Sequence, residues 1–213
     1  MKLIIPMAGF GTRLRPHSLT RPKPFVQVAG KAMIEHLVDS LVDFSPQPIL
    51  SMVFIIGDFG QNASNELQRI AKKHRASCHL FYQKNKLGLA HAINCASEQL
   101  QGPCFLAFSD SLFSAPKLTK LPLTNCIWVK AVADPSSYGV ALVNEQNEVA
   151  AIVEKPQKFV SELAIIGIYY FEAIQTLQSA IQTIIHQERP LKGEYSFADA
   201  LSLLIEQKQR FQI

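Results

Sequence analysis

Apolar and polar residues along the first half of the chain follow a pattern that switches between strand and helix periods. Short apolar runs, typical of buried strands, lie at residues 3–7, 51–56, 78–83 and 104–108. The segments between them place apolar residues at the 3.6-residue period of an amphipathic helix. These predicted helices cover residues 31–44, 62–74 and 89–100. Such alternation predicts a parallel sheet with right-handed crossovers and helices on its faces.

The second half of the sequence is richer in predicted strands. They lie at residues 127–132, 138–143, 149–154 and 164–171, and predicted helices follow at 172–186 and 197–207. No internal repeat, low-complexity tract or flexible linker interrupts the chain. We therefore predict one α/β domain over residues 1–213, with a mixed, mostly parallel sheet.

Composition and charge exclude several classes of protein. Hydrophobic residues make up 48% of the 213 and charged residues 18%, which excludes a disordered chain. The longest apolar stretch, residues 163–171, is too short to span a membrane, and the amino terminus does not resemble a secretory signal. The net charge of +4 is too small and too dispersed to indicate nucleic-acid binding. The four cysteines form no CxxC pair, so we expect reduced thiols and a cytoplasmic protein.

Three predicted strands end in residues suited to bind a nucleotide. The first enters a glycine turn at Ala8-Gly9-Phe10-Gly11-Thr12, the third ends at Gln83, and the fourth ends at Ser109-Asp110. In open parallel sheets, ligands bind beyond the carboxyl ends of the strands. Backbone N–H groups, an amide and a carboxylate at one edge would fit a phosphate chain with a divalent cation.

The glycine turn matches neither of two common phosphate-binding loops. The dinucleotide fingerprint needs a third glycine where Leu14 stands and a helix that begins at once, which Pro16 prevents. A P-loop needs Ser or Thr after its lysine, but Ala32 follows Gly30-Lys31. What remains is a proline-stiffened basic loop, and a rigid cationic loop loses little entropy when a polyphosphate binds. Its cations are Arg13, Arg15, Arg21 and Lys23.

This loop is the first of a series of motifs that follow one another along the chain. They are Ala8-Gly9-Phe10-Gly11-Thr12-Arg13-Leu14-Arg15-Pro16, Pro22-Lys23-Pro24, Leu87-Gly88-Leu89-Ala90, Ser109-Asp110, Tyr138-Gly139-Val140, Glu154-Lys155-Pro156, Gly167-Ile168-Tyr169 and Gly193-Glu194-Tyr195. In this order they resemble the sugar-1-phosphate nucleotidyltransferases, or nucleotide-sugar pyrophosphorylases, over roughly residues 1–205. Within this family the chain resembles the glucose-1-phosphate thymidylyl- and uridylyltransferases. The resemblance implies a Rossmann-like three-layer α/β/α fold, with a nucleotide-binding half (1–125) and a sugar-phosphate-binding half (126–213).

The resemblance also implies a role for individual residues. Those implied to bind the nucleotide are Ala8, Gly9, Gly11 and Thr12 at its phosphates and Gln83 and Gly88 at its base. Those implied to be catalytic are Arg13 and Lys23 at the triphosphate, Asp110 as the ligand of Mg²⁺, and Lys155. Those implied to bind the sugar phosphate are Gly139 and Glu154 at sugar hydroxyls, Lys155 at the phosphate and Tyr169 in the sugar pocket.

The implied reaction joins a sugar 1-phosphate to a nucleoside triphosphate, UTP or dTTP, and releases pyrophosphate. Its nucleophile is an anionic phosphate oxygen, so no general base is needed and positioning and charge neutralisation dominate. A catalytically silent relative that binds a nucleotide sugar, or acts as a regulatory subunit, stays open as an alternative. A nicotinamide-dependent dehydrogenase is disfavoured by Leu14 and Pro16.

The sequence leaves the second ligand of the metal and the oligomeric state open. Members of the family usually take a second magnesium ligand from a Trp-x-Asp-x-Gly segment, which does not occur before Ile213. We therefore expect one of three things: further chain beyond Ile213, another group or water that completes the ligands of Mg²⁺, or weak binding of the metal. The expected partners are the two substrates, without nucleic acid or membrane, and a homo-oligomer stays open.

Overall fold

The chain forms two compact units in the computed structural model, which describes residues 1–9, 11, 21–187 and 193–213. Unit 1 comprises Met1–Lys86 and Ala107–Leu121, and unit 2 comprises Leu87–Leu106 and Pro122–Ile213. Thr12 and Arg13, both predicted to bind the nucleotide, lie outside the described residues. The predicted division into functional halves at residue 125 stays a prediction.

Unit 1 is built on parallel strands joined through helices, as the alternating pattern predicts. Its elements are β1 (Lys2–Pro6), β2 (Gln27–Val28), β3 (Lys31–Ala32), α1 (Met33–Phe44), β4 (Ser51–Ile56), α2 (Gly60–Lys73) and β5 (Ser77–Tyr82). The long strands pair in the order β1-β4-β5, all parallel, with Lys2 opposite Ser51 and Ser51 opposite Ser77. Leu3, Ile4 and Ile5 of β1 are fully buried, which accounts for the continuous apolar run.

A short hairpin precedes the first helix, where the sequence pattern predicts helix from residue 31. β2 and β3 pair antiparallel, with Val28 opposite Lys31. The two turn residues, Ala29 and Gly30, have φ values of 49° and 79°. This is the left-handed geometry that lets a two-residue turn join twisted strands, and helix α1 therefore begins only at Met33.

A cluster of ion pairs joins this hairpin and α1 to α2 in unit 1. Lys73 Nζ lies 3.0 Å from Glu35 Oε1 and 2.9 Å from Asp39 Oδ1. Arg69 contacts the other oxygen of Glu35 at 2.5 Å, and His74 Nε2 lies 2.7 Å from Asp39 Oδ1. Lys31 of β3 reaches Asp39 Oδ2 at 2.6 Å, so one carboxylate on α1 holds both the hairpin and α2.

Unit 2 combines a mixed sheet with three helices. Its elements are α3 (Leu89–Asn94), β6 (Cys104–Ala107, whose last residue belongs to unit 1), β7 (Asn125–Ala131), β8 (Gly139–Val143), β9 (Val149–Glu154), β10 (Leu163–Phe171), α4 (Ile174–His186), α5 (Phe197–Glu206) and β11 (Phe211–Gln212). The strand order is β11-β7-β10-β6, and β8 pairs with both β10 and β9. The β7–β10, β10–β8 and β8–β9 pairs are antiparallel, whereas β11 runs parallel to β7. β11 has no counterpart in the predicted elements, because two residues are too few to show a period.

The predicted helix at residues 89–100 is wrong in its second half. Helix α3 ends at Asn94, and a 3-10 turn follows at Ser97–Gln99. Ala96 leaves the helical region, with φ −102° and ψ 26°. Ala96 and Leu100 are nonetheless fully buried. The apolar spacing therefore reports which residues face the core rather than whether one helix continues.

An irregularity in β10 shifts its register against β7. Ile165 lies opposite Val129 and Tyr169 lies opposite Ile127, so β10 carries two extra residues between these pairs. Gly167, inside this segment, has a φ of 77°. A glycine adopts this backbone without steric cost, and such bulges re-aim the side chains that follow them. The bulge therefore sets the direction in which Tyr169 leaves the strand.

Among the described residues, no helix has both the length and the hydropathy needed to cross a bilayer.

Candidate functional site

The glycine turn of unit 1 continues directly from β1. The Met7 amide donates a hydrogen bond to Ile55 O at 2.7 Å, so the pairing of β1 with β4 extends one residue past the strand. Ala8 is buried and Gly9 is exposed. Gly57 follows β4, and a Cβ there would lie 3.2 Å from the Ala8 carbonyl oxygen. The start of the turn is thus fixed against the end of the neighbouring strand.

Lys23 packs against the same turn. Gly11 has a φ of 62°, and a Cβ on it would collide with Cβ of Lys23. Lys23 begins a short 3-10 helix, Lys23–Phe25, which Pro22 precedes and Pro24 stiffens. The ring of Phe25 is buried and meets Phe59 edge to face, with centroids 6.3 Å apart. This packing anchors the backbone that carries the lysine.

Asp110 meets Lys23 in an ion pair between Oδ2 and Nζ. Asp110 follows β6 in a tight turn, in which the Ser111 amide donates to Phe108 O at 3.0 Å. The side chains are 24% exposed for Lys23 and 46% exposed for Asp110, so solvent reaches both charges. An accessible cation beside an accessible carboxylate can serve a polyphosphate and a divalent cation together. Strand ends that are far apart in sequence are brought together here, as the sequence analysis predicts.

Gln83 occupies the end of β5 in unit 1. Its backbone N–H donates a hydrogen bond to Ile56 O at 2.9 Å, which extends the β4–β5 pairing by one residue. The residue is buried. The backbone pairing fixes where Gln83 leaves the end of the strand, and its predicted role at the base stays a prediction.

A magnesium site can be tested against the donors that unit 1 offers. The described residues contain no group of three or more His, Cys, Asp or Glu side chains arranged to hold a metal ion. Asp110 supplies one exposed carboxylate. Magnesium commonly takes one or two carboxylates and completes its octahedron with water and substrate phosphates. The residues therefore fit Mg²⁺ that arrives with a nucleotide, but not a preformed protein cage.

In unit 2, Gly139 and Glu154 face each other across the β8–β9 pair. A Cβ on Gly139 would lie 2.9 Å from Glu154 Oε2, so the carboxylate uses the space that the glycine leaves. Lys155 follows at the end of β9, and its Nζ lies 3.6 Å from Glu154 Oε1. Both side chains are about half exposed, so an acceptor and a cation are presented side by side.

The backbone at Lys155 is unusual for a residue with a side chain. Its φ is 47°, in the left-handed region that favours glycine. The Lys155 amide donates to Tyr138 O at 2.9 Å, which holds this conformation. Strained residues of this kind cluster at functional sites, where the surroundings over-determine them.

Tyr169 of β10 is almost completely buried. Burial raises the pKa of its hydroxyl well above the usual value, and the negative charge of Glu154 raises it further. The ring meets Phe197 edge to face, with centroids 5.1 Å apart. The hydroxyl therefore stays protonated at neutral pH, and the ring is held by its aromatic contact.

Gly88 is fixed by a close approach of backbone from another part of unit 2. Its φ of 94° and ψ of 177° lie in a region that is essentially restricted to glycine. A Cβ there would lie 2.6 Å from both the N and the O of Tyr195. The Tyr195 amide donates to Leu87 O at 2.7 Å, and the Ala90 amide donates to Tyr195 O at 3.2 Å.

The structure thus brings together two sets of the residues that the sequence analysis selects. Gly11, Lys23 and Asp110 meet in unit 1, and Gly139, Glu154 and Lys155 meet in unit 2, where Tyr169 is buried against Phe197. Sequence reasoning assigns no role to Tyr195 or Phe197. The Gly193-Glu194-Tyr195 motif marks this segment in the sequence. A single sequence does not show, however, which other part of the backbone the segment contacts.

Comparison with known proteins decides the family. The model of the family described as nucleotidyl transferase matches residues 2–212, nearly the whole chain. The chain belongs to the nucleotidyl transferase family. This confirms the resemblance on which the site residues were chosen, to a family of enzymes that act on sugar 1-phosphates.

Curated relatives of this nucleotidyl transferase include enzymes that are named for different nucleotides. The UTP–glucose-1-phosphate uridylyltransferase AglF of Haloferax volcanii is 28% identical over 96% of this chain and 84% of its own. The mannose-1-phosphate guanylyltransferase catalytic subunit beta of Dictyostelium discoideum is 33% identical over 80% of this chain and 49% of its own. The bifunctional protein GlmU of Methanococcus vannielii is 29% identical over all of this chain and 50% of its own. The chain spans about half the length of the last two relatives.

Solved structures confirm the fold class. A UDP-glucose pyrophosphorylase complexed with UDP-glucose superposes with a TM-score of 0.78 and 22% identity, over 99% of this chain and 89% of its own. A structure described as a putative glucose-1-phosphate thymidylyltransferase from Bacillus anthracis superposes with a TM-score of 0.79 and 20% identity. The match covers 100% of this chain and 85% of the other. The nucleotidyl transferase chain thus has the Rossmann-like fold of these enzymes, with a mixed, mostly parallel sheet and flanking helices.

Proposed function

We propose that this chain joins a sugar 1-phosphate to a nucleoside triphosphate, giving a nucleotide sugar and pyrophosphate. The observation that carries the proposal is the ion pair of Lys23 with Asp110 beside Gly11. It gives a chain of this family an accessible cation and an accessible carboxylate at the strand ends where its nucleotide loop begins. A polyphosphate with a bound cation needs both charges.

The proposed roles follow from the charges of the reaction. A phosphate oxygen of the sugar phosphate attacks the α-phosphorus of the nucleotide, the α–β phosphoanhydride bond breaks, and pyrophosphate leaves with the bonding electrons. Lys23, with Arg13, neutralises the triphosphate as negative charge develops on the leaving group. Glu154 accepts hydrogen bonds from sugar hydroxyls while Lys155 pairs with the attacking phosphate, so that the nucleophile is oriented rather than deprotonated.

Magnesium is the proposed cofactor, with Asp110 as its protein ligand. When bound, the ion would neutralise phosphate charge and align the phosphate chain. The Lys23 amine, which pairs with Asp110 in the structure, would neutralise triphosphate charge beside the ion.

UTP or dTTP is the proposed nucleotide, with Gln83 and Gly88 at the base and Tyr169 lining the sugar pocket. The choice is supported by AglF, named for UTP, and by the names of two solved structures of the same fold, a UDP-glucose pyrophosphorylase and a glucose-1-phosphate thymidylyltransferase. The guanylyltransferase relative makes GTP the competing nucleotide to test. A cytoplasmic location and a homo-oligomer stay predictions.

The test is a pyrophosphate-release assay over a panel of substrates. UTP, dTTP, GTP, CTP and ATP would each be combined with the 1-phosphates of glucose, mannose and N-acetylglucosamine, with and without Mg²⁺. We expect magnesium-dependent release that is fastest with UTP or dTTP. Binding of a nucleotide sugar without turnover for any pair would instead support a catalytically silent relative, and preference for GTP would overturn the proposed nucleotide.

A further inference from the structure

The turn at Leu87–Gly88 is held by a segment more than a hundred residues later in the sequence. Tyr195 accepts and donates backbone hydrogen bonds there, from the Ala90 amide at 3.2 Å and to Leu87 O at 2.7 Å. Because Gly88 has no Cβ, the Tyr195 backbone can approach to a distance that any other residue would block. The conformation of the turn therefore depends on the position of the Tyr195 backbone.

The same segment reaches the sugar-phosphate residues two positions later. Phe197 is buried, and its ring meets Tyr169 edge to face at 5.1 Å. One short stretch of chain thus contacts the turn at Gly88 through the Tyr195 backbone and the buried Tyr169 through the Phe197 ring.

The segment between these two contacts is held rigidly. The Ser196 hydroxyl accepts hydrogen bonds from the amides of Ala198 at 3.1 Å and Asp199 at 3.4 Å, which caps helix α5. Ala200, Leu201 and Leu204 of α5 are buried, which fixes the helix in unit 2. A displacement of Phe197 is therefore transmitted to Tyr195 rather than absorbed in a flexible joint.

We propose that the segment Tyr195–Phe197 positions both the base-binding turn and the sugar-binding residues, and so couples recognition of the nucleotide to recognition of the sugar phosphate. The inference rests on the proposed function, because it takes Gly88 to lie at the base and Tyr169 at the sugar. Tyr195 and Phe197 are positioning residues: they act through Gly88 and Tyr169 rather than by touching the reacting atoms. Each substrate would then bind more tightly when the other is present, by the same factor in both directions.

The first test is Phe197→Leu, with Phe211→Leu as its matched control. Phe211 is also buried and meets Phe171 edge to face at 6.0 Å, so the control removes a similar ring contact from unit 2. In Phe197→Leu we expect the KM of both substrates to rise about fivefold or more and the preference between UTP and GTP to shrink. The Phe211→Leu variant should keep both KM values and the preference. A rise confined to the sugar phosphate, with unchanged nucleotide preference, would overturn the coupling.

The second test needs no variant and covers the case in which Phe197→Leu does not fold. Amide hydrogen exchange of the wild-type chain would be measured at Tyr195 with glucose 1-phosphate alone, with UTP alone and with neither. We expect each substrate by itself to slow exchange at this amide, because both stabilise its bond to Leu87. Unchanged exchange with glucose 1-phosphate, under conditions where it binds, would overturn the inference.

The two proposals fail in different ways. Absence of pyrophosphate release from the wild-type chain with every substrate pair contradicts the proposed function. Normal wild-type turnover, with uncoupled KM values in Phe197→Leu or a Tyr195 amide insensitive to the sugar phosphate, contradicts only the coupling.

Discussion

The carboxylate of Glu154 occupies the space that a side chain at Gly139 would need. The two residues face each other in the β8–β9 ladder, and a Cβ on Gly139 would lie 2.9 Å from Glu154 Oε2. The neighbour in the way is the end of a flexible side chain, so an added methyl would move the carboxylate and leave the strands in place. This separates an effect on the site from an effect on the fold.

Gly139→Ala should therefore raise the KM for the sugar phosphate without unfolding the chain. We expect an increase of about tenfold, on the order of one lost hydrogen bond to a charged group. The measurement is steady-state kinetics at saturating nucleotide, together with a thermal melt. The Gly102→Ala control adds the same methyl in unit 2 where nothing lies within 4 Å, and its KM should not change. An unchanged KM in Gly139→Ala would remove Glu154 from the sugar site.

Asp110→Asn should reduce turnover strongly and stability little. Losing one electrostatic stabiliser costs about a hundredfold or more in kcat. A partly exposed ion pair contributes only about 0–1 kcal/mol to folding, so the urea midpoint should hardly move. The dependence of the rate on Mg²⁺ should also weaken. Asp43→Asn, at an exposed position of α1, is the matched control and should behave as wild type. A normal Mg²⁺ titration in Asp110→Asn would contradict the assignment of the metal ligand.

Asp39 should make stability depend on pH in the acid range. Burial alone would raise its pKa, but hydrogen bonds from Lys31, Lys73 and His74 outweigh this effect and lower the pKa from 3.8 to about 2. Because the pKa is lower in the folded state, the stabilisation is complete above about pH 5 and is lost as the pH falls toward 2.

Asp39→Asn is the variant that isolates this contribution. It should destabilise the chain by on the order of 1–2 kcal/mol at pH 7, and its difference from wild type should vanish near pH 2. Urea unfolding at a series of pH values gives the two curves. A difference that stays constant from pH 7 to pH 2 would mean that the ion pairs of Asp39 do not stabilise the fold.

Gly88→Ala should be much more destabilising than Gly102→Ala. Both glycines have a positive φ, 94° and 70°. Backbone strain in either alanine variant therefore lowers the free energy of unfolding by about 1–3 kcal/mol. Only the methyl on residue 88 also meets rigid backbone, 2.6 Å from the N and O of Tyr195. We expect Gly88→Ala to lose at least about 2 kcal/mol more than the control in urea unfolding. Equal losses would show that the Tyr195 backbone yields easily.

The sequence predicts the strands of this fold well where burial on both faces leaves a continuous apolar run. The bounds of β4, whose residues from Met52 to Ile56 are all buried, agree with the prediction at every residue. The β2–β3 hairpin is missed because its two-residue strands are too short to show a period. The end of α3 is missed because Ala96 and Leu100 stay buried after the helix stops.

Residues of the candidate site can be predicted from the sequence where the side chain itself, such as a charged group, carries out the proposed role. Lys23 is named as a cation of the proline-stiffened loop and Asp110 as the carboxylate at a predicted strand end, and the structure pairs them. Tyr195 acts through its backbone, which every residue possesses, so no side-chain pattern can indicate it. Gly88 indicates this contact only indirectly. A glycine in the sequence suggests that there is no room for a side chain, but it does not show which part of the chain occupies that space.

The left-handed backbone at Lys155 sets stability against activity at a single position. Glycine would adopt a φ of 47° without steric cost and would keep the amide that donates to Tyr138, so the fold itself has no need of a lysine there. A lysine at this position strains the backbone at the end of β9, and it places an amine beside Glu154. Selection for a more heat-resistant chain would therefore favour glycine at this position, whereas selection for turnover, under the role proposed for Lys155, would favour lysine.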